Sequence, residues 1–145
     1  MSQENVEVVR GVFDPELDWA ATFRDEELLR KTWSLVADSF EPDFETIGVP
    51  GGLIHTSARG FEGFRQEWSE WLSSWQTWFI EPEKFIPLSG DRVLALAVNR
   101  ATSKTEGVEM VFMGASIWTL RNKKIRRMEL FLEREQALEA AGLRE

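Results

Sequence analysis

Aromatic residues recur at helical spacing in the middle of the chain, across residues 61–78. Successive members of this stripe are three or four positions apart, and they are Phe61, Phe64, Trp68, Trp71, Trp75 and Trp78. Side chains at this spacing share one face of an α-helix. The pattern therefore predicts a helix whose aromatic face packs on a broad surface, with Trp78 at or beyond the helix end. One or two of the rings can also form the wall of a ligand cavity.

Helical patterns also occur at both ends of the chain. A short helix is predicted to start at Ser2 and to stop at Pro15. A second helix is predicted from Asp25, because an apolar stripe follows it: Leu29, Trp33, Val36 and Phe40. A last helix over residues 133–143 ends near Gly142, a residue type that commonly closes helices.

The remaining patterns are typical of β-strands. Strand-forming residues are concentrated in five segments, which are residues 41–49, 77–88, 92–103, 108–121 and 124–133. Short turn sequences such as Ser89-Gly90-Asp91 separate the last four segments, so neighbouring strands are expected to be antiparallel. Helices followed by an antiparallel meander predict an α+β fold, with one domain spanning residues 1–145.

Two of these strands, residues 92–103 and 108–121, are apolar on both faces. In residues 92–103, larger apolar residues alternate with alanines, and we expect the larger set (Leu94, Leu96 and Val98) to face the core. A sheet face that is open to water normally carries polar residues. The pattern leaves no helix to cover the second face, so the sequence predicts a homodimer formed through it. The predicted interface residues are Ala95, Ala97, Val111, Met113, Ala115 and Ile117.

Composition and charge narrow the range of partners. The chain has no cysteine, which excludes disulfides, thiolate metal sites and cysteine nucleophiles. The absence of a signal core or a membrane-length apolar run predicts a cytoplasmic location and no membrane partner. The net charge of −8 argues against a nucleic-acid partner. The basic run RNKKIRR (121–127) fits a local nucleic-acid patch or a solvated hairpin turn, and the turn is favoured because backbone binding needs a broad basic face.

Several segments together resemble a known family. "SQENVEVVRGVF", "RGFEGFRQEW", "GDRVLALA" and "SIWTLRNKKIRRMELFLEREQALEAAGL" are similar to the SnoaL-like branch of the nuclear-transport-factor-2-like superfamily. The resemblance covers most of the chain and is strongest from Gly60 to the end. It implies a cone-shaped α+β barrel, often dimeric, in which a curved antiparallel sheet wraps around N-terminal helices and encloses an apolar pocket.

The catalytic groups known in this superfamily are largely missing from the matching positions. Chemistry of the ketosteroid-isomerase type uses a carboxylate base, a tyrosine and a protonated aspartate, but this chain has no tyrosine and Ser116 stands at the aspartate's position. The limonene-epoxide-hydrolase type uses an arginine and two aspartates. The arginine corresponds to Arg100, while the aspartates correspond to Thr102 and Leu130, which cannot take a proton from water.

The resemblance and the apolar patterns together predict the lining of a ligand pocket. The predicted lining residues are Trp33, Phe64, Trp68, Trp71, Arg100, Phe112, Ser116, Trp118, Met128 and Leu130. Arg100 is expected to anchor an acidic ligand near the pocket mouth. His55 and Arg100 are the candidate catalytic residues. With a single histidine and no cysteine, we expect neither a metal site nor a cofactor.

Three functions remain open at this level. The first is the binding of a small hydrophobic or aromatic ligand by a protein that lacks the known catalytic groups. The second is an isomerase, dehydratase or hydrolase that acts on a small hydrophobic substrate through His55 and Arg100. The third is a structural or interaction module whose pocket is filled by its own tryptophans.

Overall fold

The structure, a computed structural model, describes residues 2–48, 57–131 and 133–143. Its α-helices are α1 (Ser2–Arg10), α2 (Trp19–Arg24), α3 (Glu26–Val36), α4 (Gly60–Leu72) and α5 (Arg134–Ala140). Its strands are β1 (Phe40–Gly48), β2 (Ser57–Arg59), β3 (Trp75–Leu88), β4 (Arg92–Ser103), β5 (Glu109–Arg121) and β6 (Lys124–Phe131). The candidate residue His55 lies outside the described residues.

Two of the N-terminal helices begin where an acidic side chain accepts a free backbone N–H group. The carboxylate of Asp18 accepts from the N–H of Ala21 at 3.2 Å at the start of α2. The carboxylate of Asp25 accepts from the N–H of Leu28 at 3.2 Å at the start of α3. Such caps satisfy donors that the helix itself leaves unpaired, and the predicted start at Asp25 is confirmed. No helix within the described ranges has the length and apolar character needed to cross a membrane.

The described strands form one curved sheet in the order β2-β1-β6-β5-β4-β3, with the helices packed against it. The predicted α+β cone fold is confirmed. One detail differs from the prediction, because β1 runs parallel to β6 and the sheet is therefore mixed. β1 and β6 are separated by most of the chain, so no short hairpin forces them to be antiparallel.

The aromatic stripe of the sequence is divided between a helix and a strand. Helix α4 ends at Leu72, and Trp75 and Trp78 already belong to β3. The register of β3 against β4 shifts between Trp75 and Thr77. A bulge of this kind adds one residue, so two positions that are three apart can face the same side, as they do in a helix. Trp75 and Trp78 are consequently both buried although neither is helical.

The facing of β4 is the reverse of the sequence expectation. Ala95 pairs with Ser116 and Ala97 pairs with Gly114, and directly paired residues share one face of a sheet. Ala95 also belongs to the core cluster that packs against α1. The alanines therefore point toward the helices, where bulky aromatic side chains leave room only for small residues. The larger residues of the strand face away from α1–α4, and these are Leu94, Leu96 and Val98.

Helix α5 covers part of the outer sheet face, the face that points away from α1–α4. Four strand residues are buried in one cluster with Ala137 of this helix, and they are Leu94, Ala115, Ile117 and Phe131. The expectation that no helix remains to cover this face is therefore wrong. Of the predicted interface residues, Val111 and Met113 stay exposed, at 50% and 47%.

Candidate functional site

A partly open cavity of about 160 Å³ lies between the helices and the concave face of the sheet. Residues of α2, α3 and α4 border it on one side, and residues of β1 and of β3–β6 border it on the other. Most of these residues are aromatic or aliphatic. An apolar cavity of about 150 Å³ in a protein core is large enough to hold benzene, so this space accommodates about one aromatic ring.

Packed aromatic rings form the helix side of the cavity. Trp33 of α3 stacks on Phe61 of α4 with ring centroids 4.9 Å apart, and it also stacks on Phe44 of β1 at 5.6 Å. Phe64 contacts Trp68, one turn later on α4, at 5.9 Å. Aromatic contacts at these distances are favourable and fix the ring orientations, so this wall is formed before any ligand arrives.

The structure brings most of the predicted pocket residues to this one cavity. Those that border it are Trp33, Phe64, Trp68, Trp71, Ser116, Trp118, Met128 and Leu130. On the sheet side, Ser116 pairs with Leu130 and Trp118 pairs with Met128. Alternate residues of a strand face the same side, and paired residues share that side. This regularity explains why the sequence pattern was sufficient to group these four.

Two residues of the predicted lining lie elsewhere. Arg100 is on the outer face of β4, where its side chain is 52% exposed and its Nε lies 4.0 Å from Oε1 of Glu81. It does not border the cavity, and this correction follows from the reversed facing of β4. Phe112 faces the helices but stacks on Trp78 at 5.6 Å and packs edge-on against Trp75. It therefore lies beside the cavity without bordering it.

Two indole N–H groups at the cavity already have acceptors. Nε1 of Trp118 donates to Oγ of Ser116 at 2.7 Å, and Nε1 of Trp78 donates to Oδ1 of Asn99 at 3.1 Å. An indole N–H can only donate, so each partner must present an oxygen to it. The hydroxyl hydrogen of Ser116 and the amide NH₂ of Asn99 therefore remain as the donors that these two residues can offer to other groups.

Two further indole N–H groups beside the cavity have no partner. The Nε1 atoms of Trp19 and Trp68 are buried and make no hydrogen bond, and both residues border the cavity. A buried donor without an acceptor typically costs about 1–3 kcal/mol. Neighbouring atoms cover both N–H groups, so neither is open to the space of the cavity.

Within residues 2–48, 57–131 and 133–143, no titratable side chain borders the cavity. Besides the indoles, its polar side chains are those of Thr32, Asn99 and Ser116. Hydroxyl and amide groups of this kind donate and accept hydrogen bonds but do not ionise near neutral pH. The same described ranges contain no group of three or more His, Asp or Glu side chains placed to hold a metal ion. The geometry is suited to binding more than to acid–base chemistry.

Sequence reasoning missed Trp19, Ala97 and Asn99 as lining residues. Asn99 carried a signal, since it is the one amide in an otherwise apolar stretch, but the assumed facing of β4 pointed it outward. Trp19 lies in α2, which has only six residues and is too short to show a helical repeat. Its place beside the cavity depends on contacts of α2 with β3 and α4, which are distant along the chain.

Comparison with known families supports the resemblance read from the sequence. The profile of a family described as "SnoaL-like domain" matches residues 20–128 of the chain. None of the curated proteins that were compared with the chain matches it.

Solved structures resemble the chain over nearly its whole length. TerC, co-crystallised with polyporic acid, is 19% identical with a TM-score of 0.67, and the match covers 96% of this chain and 98% of TerC. A putative SnoaL-like polyketide cyclase from Jannaschia sp. CCS1 is 16% identical with a TM-score of 0.68, covering 99% of this chain and 95% of that one. An NTF2-like protein of unknown function from Burkholderia pseudomallei K96243 is 17% identical with a TM-score of 0.67, covering 95% and 97%. At these identities the likeness establishes the fold.

Proposed function

This chain belongs to the SnoaL-like domain family, and we propose that it binds a small apolar or aromatic molecule in the cavity between its helices and its sheet. The family includes polyketide cyclases and isomerase-like proteins, and one fold of this kind serves many functions. The observation that carries the proposal is the cavity of about 160 Å³ with its aromatic and aliphatic lining. TerC, a protein of the same fold, was co-crystallised with polyporic acid, which supports a small organic molecule as the ligand.

The size of the cavity sets the expected affinity for a minimal ligand. A single substituted ring buries roughly 150 Å² of apolar surface, which at about 25 cal/mol per Å² contributes about 4 kcal/mol. If all of this free energy appeared as binding, the dissociation constant would be about 1 mM, and the loss of translational and rotational freedom makes the affinity weaker than this limit. Simple aromatic probes should therefore be tested at concentrations up to their solubility, and a tighter natural ligand must add polar contacts or reach beyond the cavity.

The proposal is tested by titrating the full chain with ethylbenzene, using calorimetry and the melting temperature. We expect saturable binding and a melting temperature that rises with ligand concentration, because the ligand binds only the folded state. Ala97→Leu is the informative variant, since Ala97 is 5% exposed and borders the cavity. The larger side chain should occupy the ligand's space and abolish binding, with the melting temperature of the free protein unchanged or raised.

Ala101→Leu is the matched control on the same strand and the same face. Ala101 is 1% exposed, packs in the cluster of Trp75 and Trp78, and does not border the cavity. Overpacking a filled core typically costs about 1–3 kcal/mol, so this variant should lower the melting temperature. Ethylbenzene should still bind to the folded fraction. Binding that survives Ala97→Leu unchanged would place the ligand somewhere other than this cavity.

The two alternative functions predict different results from the same titration. A self-filled structural module gives no ligand response from a protein that melts cooperatively. An isomerase, dehydratase or hydrolase needs a titratable group at the ligand, and none borders the cavity within the described ranges. His55 is outside those ranges, so His55→Ala tests it directly. We expect this variant to bind ethylbenzene as the parent does, and turnover of any bound compound that this change abolishes would favour the enzyme.

We also propose that two copies of the chain associate through the outer sheet face. Val111 and Met113 are large apolar residues of β5 that remain about half exposed there. Exposed apolar patches of this kind often mark protein interaction sites. The proposed interface is smaller than the sequence predicted, because Ala95 and Ala97 face the helices and α5 covers Ala115 and Ile117.

A further inference from the structure

We infer that Asn99 determines which ligand the cavity prefers, and that its amide NH₂ group donates to an acceptor oxygen of an uncharged aromatic compound, such as an aryl ketone. This inference rests on the proposed function and adds a specificity-determining residue and the chemical class of the ligand. Asn99 borders the cavity and lies two residues from Ala97 on the concave face of β4.

Trp78 fixes which end of the Asn99 amide a ligand can meet. Nε1 of Trp78 lies 3.1 Å from Oδ1 of Asn99, and Trp78 is only 2% exposed. An indole N–H can only donate, so the end of the amide that faces it must be the oxygen. The oxygen is therefore occupied, and the NH₂ group is directed away from Trp78.

The NH₂ group of Asn99 lies over a part of β5 that carries no side chain. A Cβ atom on Gly114 would come within 3.0 Å of Nδ2 of Asn99, so Nδ2 lies above the inner face of Gly114. Gly114 pairs with Ala97 and is two residues from Ser116, and both of these residues border the cavity. Nδ2 therefore lies at the sheet side of the cavity, between two lining residues.

Nδ2 of Asn99 is also open to an incoming group. Within the described ranges, the only hydrogen bond of this side chain is made through Oδ1, and Nδ2 is not among the unpaired polar atoms that their neighbours cover. It differs in this respect from the covered Nε1 atoms of Trp19 and Trp68. An amide NH₂ group donates hydrogen bonds, so a ligand complements it by bringing an acceptor.

The charge of the lining narrows the ligand class further. The described lining contains no Asp, Glu, Lys, Arg or His. Burying a charged group without a partner charge is strongly unfavourable, so the acceptor should belong to a neutral group. A carbonyl oxygen attached to one aromatic ring meets both conditions and matches the size of the cavity.

The test compares three uncharged probes that share a phenyl ring, which are ethylbenzene, acetophenone and N-methylaniline. Ethylbenzene has no polar atom, and acetophenone carries an acceptor oxygen. N-Methylaniline carries an N–H donor, and its nitrogen is a poor acceptor because the ring shares its lone pair. Calorimetry gives the dissociation constant of each probe for the full chain. The probes differ in hydration, but this difference cancels when the ratio of two dissociation constants is compared between protein variants.

Asn99→Asp removes the donor and keeps an oxygen for the N–H of Trp78. We expect the dissociation constant of acetophenone, divided by that of ethylbenzene, to be about fivefold or more higher than in the parent, the factor given by one hydrogen bond of typical net strength. Trp78→Phe/Asn99→Leu serves if Asn99→Asp does not fold, because it replaces both partners by apolar side chains and strands neither. It should show the same rise.

Trp78→Phe tests whether the indole N–H orients the amide of Asn99. Without this donor the amide can turn and present its oxygen, so the affinity for N-methylaniline should rise about twofold or more relative to acetophenone. Trp75→Phe is the matched control, because Trp75 is in the same strand, contacts Trp78 with ring centroids 5.1 Å apart and does not border the cavity. Its ratios should equal those of the parent.

The outcomes separate this inference from the proposed function. Failure of all three probes to bind the parent protein removes the proposed function itself. Binding of ethylbenzene together with an acetophenone ratio that is the same in the parent and in the Asn99 variant overturns only the present inference. A ratio that rises in the Asn99 variant, with Trp78→Phe behaving as Trp75→Phe does, supports Asn99 as the donor and overturns the orienting role of Trp78.

Discussion

The hydrogen bond between Trp118 and Ser116 determines which substitutions this buried part of β5 tolerates. Both residues are buried, at 6% and 7% exposure, and the N–H···O distance of 2.7 Å is short. In this environment the bond itself contributes about 1 kcal/mol, while an unpaired donor costs about 1–3 kcal/mol. The penalty for breaking the pair from one side is therefore larger than the value of the pair.

We expect Ser116→Ala to lower the free energy of unfolding by about 1–3 kcal/mol, because it leaves the Trp118 N–H buried without an acceptor. In a Trp118→Phe background the same substitution should cost much less, since no donor is stranded. Urea denaturation of the two single variants and the double variant measures this coupling. A cost for Ser116→Ala that is equal in both backgrounds would show that the hydroxyl has a different role.

At the scale of elements, Asp18 joins a short helix to the sheet. One oxygen, Oδ1, accepts the N–H of Ala21 at 3.2 Å and the N–H of Trp78 in β3 at 3.0 Å. A six-residue helix has almost no stability of its own, so α2 depends on this anchor. The anchor also holds Trp19, the residue next to Asp18, beside the cavity.

We expect Asp18→Ala to cost more stability than Asp25→Ala, which removes a cap with no link to the sheet. Loss of an N-cap alone costs about 1 kcal/mol, and Asp18→Ala also strands the backbone N–H of Trp78, so its cost should be at least about twice as large. Urea denaturation compares the two variants. Ethylbenzene affinity should fall in Asp18→Ala only, and equal effects of both variants on stability and binding would contradict the anchoring role.

The sequence predicted an element correctly where apolar and polar residues followed a clear helix or strand period. The stripe of Leu29, Trp33 and Val36 predicted helix α3. The hairpin turn predicted within residues 121–127 joins β5 and β6, with Asn122 and Lys123 at positive φ. The predicted facing of β4 was wrong because both faces of this strand are apolar. The inward face was assigned from side-chain size alone, but the larger residue Leu94 is buried by α5 on the outer side.

The same limit applied to the prediction of the residues that line the cavity. Alternation on β6 was enough to point Met128 and Leu130 inward, because Arg127 and Glu129 alternate with them. Met128 and Leu130 pair with Trp118 and Ser116 of β5. The prediction that Arg100 lies near the pocket mouth was wrong because it assumed the same incorrect facing of β4. The hydrogen-bond state of each indole could not be read at all, since it depends on which oxygen lies within about 3 Å in three dimensions.

At the scale of the whole molecule, the two faces of the sheet have separate roles in the proposals made above. The concave face borders the cavity, and the outer face carries α5 at one end and the exposed pair Val111 and Met113 at the other. Because side chains alternate between faces, a substitution on the outer face does not project into the cavity. Association and ligand binding should therefore be separable by mutation.

We expect the parent chain to shift from monomer to dimer as its concentration is raised to about 100 µM, and Val111→Lys/Met113→Lys to sediment as a monomer over the same range. In a symmetric dimer each substitution acts twice, and burying four ammonium groups in an apolar interface is strongly unfavourable. Leu35→Lys is the control, because Leu35 is 84% exposed on α3, away from the sheet.

The monomeric variant should keep its affinity for ethylbenzene, since the changed side chains and the cavity lie on opposite faces. A parent chain that sediments as a monomer throughout this range would remove the dimer, and loss of ethylbenzene binding together with the dimer would mean that the cavity depends on the second copy.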